Sequence, residues 1–441
     1  MLSLPADVYA ARRARLFDAL PDGSALLLPT NAEHHRNGDV EFPFRPDSDF
    51  YYVTGFHEPS AWALLRKADE GPVYTMFVLP KDREREIWTG IRSGIEGATD
   101  EFGADAAFSV EELDKELGKL LEGVDNLYFA FGRHKTAETR VHDILGTLRK
   151  GRKVHKGPAA LMDPGGLLDD MRLHKSEPEL EVIRTACRIS AEAHTAAMRD
   201  VRPGMREYEV QAQIEYIFRK RGAWGWAYPS IVAAGANGCI LHYRAGDAPL
   251  GDGDLMLVDA GAEVDGYAAD ITRTSPVNGR FTGPQRDLYA LVLDVQERAC
   301  EMTRPGITLQ DMHDEVVNHL TAGLIELGLL SGSVAENVEN KAFRRYYMHR
   351  TSHWLGMDVH DVGRYRLADG PGPGDNRPLA PGMVFTIEPG LYVSPDDDEA
   401  PEHFRGIGIR IEDDVLVTED GHENLTIATP KSIEDVEALR G

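Results

Sequence analysis

The sequence predicts two domains: an α/β domain with a mixed sheet over residues 1–174, then an α+β domain over residues 175–441. Three observations carry this reading. The first third alternates helical and strand-length apolar patterns, whereas the remainder opens on paired helices and ends in strands and loops. Between them, residues 150–175 turn basic and rich in glycine and proline, as exposed connections do. With 441 residues, 42% of them hydrophobic and 27% charged, each domain can bury its own core.

Taken in order, residues 6–20 read as a helix closed by Pro21-Asp22-Gly23. Strand-length apolar runs follow at 24–28, 50–54, 61–65 and 73–79, bounded by Pro, Gly and Asp. Residues 111–121 are helical, 127–131 strand-like and 139–149 helical. Ser176-Glu177-Pro178-Glu179 then opens the second domain: Ser176 can accept from the Glu179 N–H, Glu179 can reach back, and Pro178 suits a first turn. Leu180, Ile183, Cys187 and Ala191 follow at helical spacing. A second helix covers 207–221, strands cover 230–234, 255–259 and 268–274, and two more helices cover 285–303 and 309–327. Strands return at 383–387, 391–393 and 408–417, after a surface loop at Asp369-Gly370-Pro371-Gly372-Pro373-Gly374. No internal repeat is visible.

Lysine plus arginine number 48 against 73 aspartate plus glutamate, a net charge of −25. Such a surface repels phosphate backbones and anionic lipid, so neither nucleic acid nor membrane is expected as a partner. The three cysteines, Cys187, Cys239 and Cys300, are too sparse for a disulfide scaffold and predict reduced thiols. The apolar run at 25–28 is far too short to span a bilayer, and a cytoplasmic protein is the expectation.

The chemistry shows in carboxylates placed where a strand should carry core residues. Leu255-Met256-Leu257-Val258 ends in Asp259; Asp270 lies within Ala268-Ala269-Asp270-Ile271-Thr272; Val384-Phe385-Thr386-Ile387 ends in Glu388. Ile409-Arg410-Ile411-Glu412 alternates, so Arg410 and Glu412 share a face. Singly, Asp259 and Glu388 also suit caps of the glycine turns that follow them, and Arg410 with Glu412 suits an exposed strand face. Four carboxylates converging would need cations, and two divalent ions match a fourfold negative charge. His349, His353 and His360 fall within twelve positions, and His242 lies in Ile240-Leu241-His242-Tyr243. One imidazole with four carboxylates is a hard donor set that suits Mn²⁺ or a borderline ion better than a thiolate-type zinc site.

These segments resemble the pita-bread metallopeptidases, the group that holds methionine aminopeptidase, prolidase and aminopeptidase P. Within it the aminopeptidase P branch is closest, on Asp47-Ser48-Asp49-Phe50-Tyr51-Tyr52, Ile87-Trp88-Thr89-Gly90, Asn237-Gly238-Cys239-Ile240-Leu241-His242-Tyr243, Ile387-Glu388-Pro389-Gly390-Leu391-Tyr392 and Phe404-Arg405-Gly406. The departure is Arg350-Thr351 after His349, where a glycine is expected.

The resemblance implies an α+β pita-bread catalytic domain and hydrolysis of N-terminal Xaa-Pro bonds by a hydroxide bridging two metals, Mn²⁺ first and Co²⁺ or Zn²⁺ next. Asp270 and Glu412 would bridge the ions, Asp259 would complete one, and His353 with Glu388 the other. Glu388 would also carry the nucleophile's proton, and His242 would donate to the oxyanion. His349 and His360 would line the proline side, and Arg410 and Tyr392 would position the substrate. Trp88 would wall the pocket of a neighbouring subunit in a homodimer or homotetramer; a core tryptophan of the first domain is the plain alternative. Peptides with proline second are the implied substrates. The rivals are a prolidase, which shares the ligands but takes dipeptides, a metal-free creatinase-like hydrolase, and a non-catalytic peptide-binding module.

Overall fold

The computed structural model describes residues 3–68, 71–150, 157–244, 246–367 and 375–440. Two compact units emerge, Leu4–Met171 and Arg172–Gly441.

The N-terminal unit is built on a six-stranded sheet. Its central strand Ser24–Pro29 is buried throughout, as an uninterrupted apolar run requires. It pairs antiparallel with Trp62–Ala68, which pairs antiparallel with Gly71–Val78, and parallel with Asn126–Tyr128. Ala106–Ser109 and Ala160–Met162 add parallel strands at the two edges, so the sheet is mixed, as expected. Helices Leu113–Leu120 and Lys135–Arg149 bury Leu113, Leu117, Val141 and Ile144 against Leu27, Leu64 and Phe77.

The strand expected at 50–54 is a helix, Ser48–Thr54. Asp47 caps it by accepting from the Phe50 N–H at 3.0 Å, and Gly55 ends it in the left-handed region at φ 67°. Capping at both ends overrides the β-prone composition Phe-Tyr-Tyr-Val-Thr. The connection expected at 150–175 holds a helix as well, Gly165–Leu173. Residues 151–156 of that segment, and the loop expected at 369–374, lie outside the described residues.

In the C-terminal unit the order helix, helix, antiparallel strands occurs twice. Helices Glu177–Asp200 and Glu207–Lys220 precede the sheet Ile231–Ala234, Leu255–Asp259, Thr272–Pro276. Helices Gly283–Met302 and Leu309–Glu326 precede Val384–Ile387, Asp413–Val417, His422–Asn424 and the pair Gly390–Tyr392 with Gly408–Arg410. The Glu179 carboxylate accepts from both the backbone N–H and the hydroxyl of Ser176, at 2.9 and 2.6 Å, which starts the first helix. Its predicted apolar stripe of Leu180, Ile183, Cys187 and Ala191 is buried. A second core joins Leu288, Val292, Met312 and Val316 of the later helices to Phe385, Ile387 and Val415.

Two strands expected to be continuous are broken, and the breaks matter. Residues 268–274 divide into Tyr267–Ala268 and Thr272–Pro276, because the Asp270 N–H donates to the Asp414 carboxylate at 2.9 Å instead of a ladder carbonyl. Residues 408–417 divide into Gly408–Arg410 and Asp413–Val417, with Glu412 bridged singly to Thr272. That bridge joins the two sets of strands at the carboxylates.

Candidate metal centre and active site

Asp259 ends the strand Leu255–Asp259, and its ladder partner is Thr272, two residues past Asp270. Gly261 lets the chain close here: a Cβ at this position would sit 1.7 Å from the Ala269 carbonyl oxygen. Glu388 follows the buried strand Val384–Ile387, and Glu412 lies between the two halves of the last ligand-bearing segment. His353 is held by two backbone contacts: its N–H donates to the Thr386 hydroxyl at 3.2 Å, and its Nδ1 faces the Trp354 carbonyl at 3.1 Å. With Nδ1 so occupied, Nε2 points at the carboxylates, 3.4 Å from Asp270 and 3.8 Å from Glu388.

Side-chain oxygens of Asp270 and Glu412 and a ring nitrogen of His353 all lie within 4.8 Å of one another, the spacing of a metal-ligand group. All five expected ligands and His242, His349, His360 and Arg410 line one cavity of about 780 Å³. The exposed-face reading of Arg410 and Glu412 is excluded, since both are buried. Electrostatics point the same way. Burial and neighbouring carboxylates push Glu412 and Asp270 above the ordinary range, and burial pushes Glu388 up to about 7. Burial would lower His353, but its hydrogen bond and charge interaction with Asp270 hold it up at about 9. Asp270, His353, Glu388 and Glu412 thus all favour added positive charge, and an oxygen-rich donor set with one imidazole fits a divalent cation.

The residues around the cluster form one network. The Arg410 guanidinium donates to Asp259 at 2.6 Å, to the Thr272 hydroxyl at 3.0 Å and to the Tyr392 hydroxyl at 3.0 Å. Since the Tyr392 oxygen accepts from Arg410, its proton is free for His349 Nε2 at 2.8 Å, while His349 Nδ1 lies 2.8 Å from the Arg350 carbonyl. That fixes the tautomer of His349, and burial with the nearby Arg410 charge lowers it to about 4, so it stays neutral. His360 packs edge-on to His353, centroids 4.3 Å apart, and burial lowers it too. His242 sits exposed on the cavity wall, on a loop that a close approach of backbones holds down. A Cβ on Gly408 would fall 2.2 Å from the Gly238 carbonyl oxygen.

Trp88 stands apart. It lies on the helix Arg83–Thr89 of the N-terminal unit, is 87% exposed and is not a core residue.

Three participants escaped the sequence reading. The Tyr228 hydroxyl lies 2.7 Å from Asp259 and also within hydrogen-bond reach of Asp270, with one proton to share between them, and burial followed by the carboxylate charges keeps it protonated. The Thr272 hydroxyl donates to Glu412 at 2.7 Å; its position two residues after Asp270 was the available signal. His313 lines the cavity from the helix Leu309–Glu326, with Nδ1 2.8 Å from the Thr351 hydroxyl.

The model of metallopeptidase family M24 matches residues 181–419, and that of the aminopeptidase P N-terminal domain matches residues 9–128. The Xaa-Pro aminopeptidase of Escherichia coli is 45% identical over 433 residues, which cover 98% of this chain and 97% of that one. Its counterpart in Haemophilus influenzae is 43% identical over 439 residues, covering 100% and 98%. The structure of the aminopeptidase PepP of Pseudomonas aeruginosa aligns with a TM-score of 0.96 at 46% identity, over 100% of this chain and 98% of that one. The catalytic unit is thus the expected pita-bread domain. The chain belongs to metallopeptidase family M24, with the two-domain organisation of the aminopeptidases P, and is a metallo-exopeptidase.

Proposed function

We propose that the protein releases the N-terminal residue from peptides whose second residue is proline, using two divalent ions, Mn²⁺ in the first place. The convergence of Asp259, Asp270, His353, Glu388 and Glu412 in one cavity carries this reading. Asp270 and Glu412 would be shared between the ions, with Asp259 on one side and His353 and Glu388 on the other. When bound, the ions supply Lewis acidity and a water acidic enough to ionise at neutral pH.

The chain's own groups supply the rest. Glu388, held near neutrality by burial, can take a proton from the attacking water and deliver it to the departing nitrogen. His242 donates to the oxyanion as the carbonyl carbon becomes tetrahedral. Neutral His349 and His360 orient the substrate, Tyr392 holds His349 from behind through its hydroxyl, and Arg410 fixes Asp259 and Tyr392 together. An Xaa-Pro bond has no N–H and a fixed φ, so a cleft that contacts carbonyls rather than amide protons accepts it.

Homo-oligomerisation belongs to the same reading. Ile87, Trp88 and Ile91 are 75%, 87% and 92% exposed, an apolar group that a second copy would cover. All three cysteines are free thiols, which suits a reducing cytoplasm. Among the described residues, no helix is long and apolar enough to cross a membrane.

The test is hydrolysis of an Xaa-Pro-Yaa panel after chelation and add-back of Mn²⁺, Co²⁺ or Zn²⁺, with Ala-Pro beside Ala-Pro-Ala. Metal-dependent release of the first residue from the tripeptide is expected. Cleavage of the dipeptide alone would make the protein a prolidase.

A further inference from the structure

Outside its ligand end, the cavity is cationic. Arg244, Arg350, Arg366 and Arg377 line it, together with Gln310. Among the described residues, its only acidic linings are Asp259, Asp270, Glu388 and Glu412, the four ligand carboxylates. Two divalent ions offset those four charges, which leaves Arg244, Arg350 and Arg366 as the net charge that a substrate meets. This contrasts with a chain whose formal charge is −25. Arg244, Arg350 and Arg366 are exposed and Arg377 is half-buried, whereas Asp270 and Glu412 are buried, so the arginines stand at the mouth. Arg350 donates to the Gln310 side chain, another lining residue, at 2.7 Å. Among the described residues it has no carboxylate partner.

Geometry turns this into a substrate preference. An enzyme that removes one residue has only that residue beyond the scissile bond. Everything after the proline must run from the metal centre out through the mouth, past these arginines. We infer that the mouth selects substrates carrying a carboxylate on the leaving peptide, with Arg350 as a specificity-determining residue. That carboxylate is either the free C-terminus of a short peptide or an Asp or Glu side chain after the proline. Guanidinium groups pair with carboxylates in a planar, two-pronged fashion, and a partly walled cleft focuses the field. This inference rests on the Xaa-Pro aminopeptidase reading above.

The experiment compares kcat/KM of the manganese-loaded protein on four amidated peptides with central residues Glu, Gln, Lys and Ala (Ala-Pro-Xaa-Ala-amide). Ala-Pro-Ala is run beside its amide to separate the terminal from the side-chain source. The Glu peptide should exceed the Gln peptide by about fivefold or more at low salt, with Lys lowest, and the ratio should fall toward one at 0.5 M salt. In Arg350→Glu the Glu-to-Gln ratio should drop to one or below. Equal turnover of Glu, Gln and Lys peptides at low salt, with Ala-Pro-Ala no better than its amide, overturns the preference and leaves the peptidase reading intact. A preference confined to Ala-Pro-Ala over its amide supports the C-terminal source. No turnover of any Xaa-Pro peptide overturns the functional reading and this inference with it.

Discussion

The Glu207 carboxylate accepts a hydrogen bond from the Tyr243 hydroxyl at 2.8 Å, tying the first turn of a helix to the residue beside His242. The same fully buried carboxylate accepts from the Ala234 N–H at 3.0 Å, the Asn237 amide at 2.9 Å and the Gly246 N–H at 3.2 Å. It gathers the whole His242 loop. Glu207→Ala strands these donors and should cost about 2–4 kcal/mol. A lowered melting temperature and a reduced kcat, with metal content unchanged, are expected. Glu207→Gln keeps the Ala234 and Asn237 bonds but turns an NH₂ toward Gly246, and should fall between. A melting temperature within a degree of wild type for the alanine variant would refute this role.

Tyr228 sets its one hydroxyl proton between two ligand carboxylates, within hydrogen-bond reach of each, so it helps to position both. Loss of such outer hydrogen bonds typically weakens metal affinity by about 10–100-fold. Tyr228→Phe should bind Mn²⁺ that much more weakly by calorimetric titration, with the fold intact. Unaltered affinity would leave Tyr228 a packing residue.

His353→Ala and Glu412→Ala should each lose an ion and essentially all activity. Elemental analysis of Mn²⁺-saturated protein reads the first effect and peptide hydrolysis the second. Wild-type protein holding less than one ion per chain would count against the dinuclear assignment, and near-normal turnover in either variant against that ligand.

His242 touches none of the expected ligands by hydrogen bond among the described residues, and its prediction differs accordingly. Removing one oxyanion donor typically costs about 10²–10³ in kcat, roughly 3–4 kcal/mol. His242→Ala should keep both metals and change KM far less than kcat. Metal loss, or an effect on KM alone, would overturn the role.

His194 carries a pH prediction away from the site. It is fully buried, its Nε2 lies 2.8 Å from the Ala260 carbonyl, and burial lowers its pKa from 6.5 to about 4. The unfolded chain therefore binds a proton that the native state refuses, and stability falls as pH drops from about 6.5 toward 4. Near pH 5 this amounts to about 2 kcal/mol. The loss in melting temperature between pH 7 and pH 5 should shrink in His194→Gln; an identical loss would show that other groups govern it.

What the sequence made legible is what breaks a pattern. Asp259 and Glu388 interrupt apolar strand runs, and the alternation around Arg410 announces a shared face, so the ligands stood out. Tyr228 was hidden because an aromatic residue beside Pro229 and Trp226 breaks no pattern, and its role depends on chain segments that meet only in three dimensions. Glu207 looked like any glutamate in a helix's first turn. The helix at Ser48–Thr54 was missed because two capping residues outweighed five β-prone ones. The break at Asp270 was invisible for a related reason: the side chain that captures its N–H, Asp414, lies 144 residues away.

Glu412, Asp413 and Asp414 are three adjacent acidic residues, all buried, with three different partners. Glu412 meets Thr272 in the cavity; Asp413 pairs with Arg273 at 2.6 Å and Lys431 at 2.8 Å; Asp414 holds the Asp270 N–H. In an extended segment neighbours face opposite ways, so a slip of one position exchanges a cavity-facing carboxylate for one meant for a buried arginine. Chemically similar residues in a row thereby make this stretch intolerant of length change. Substitutions here can be graded in effect, but a single-residue insertion or deletion disconnects the cation site, the Arg273 ion pair and the strand break together.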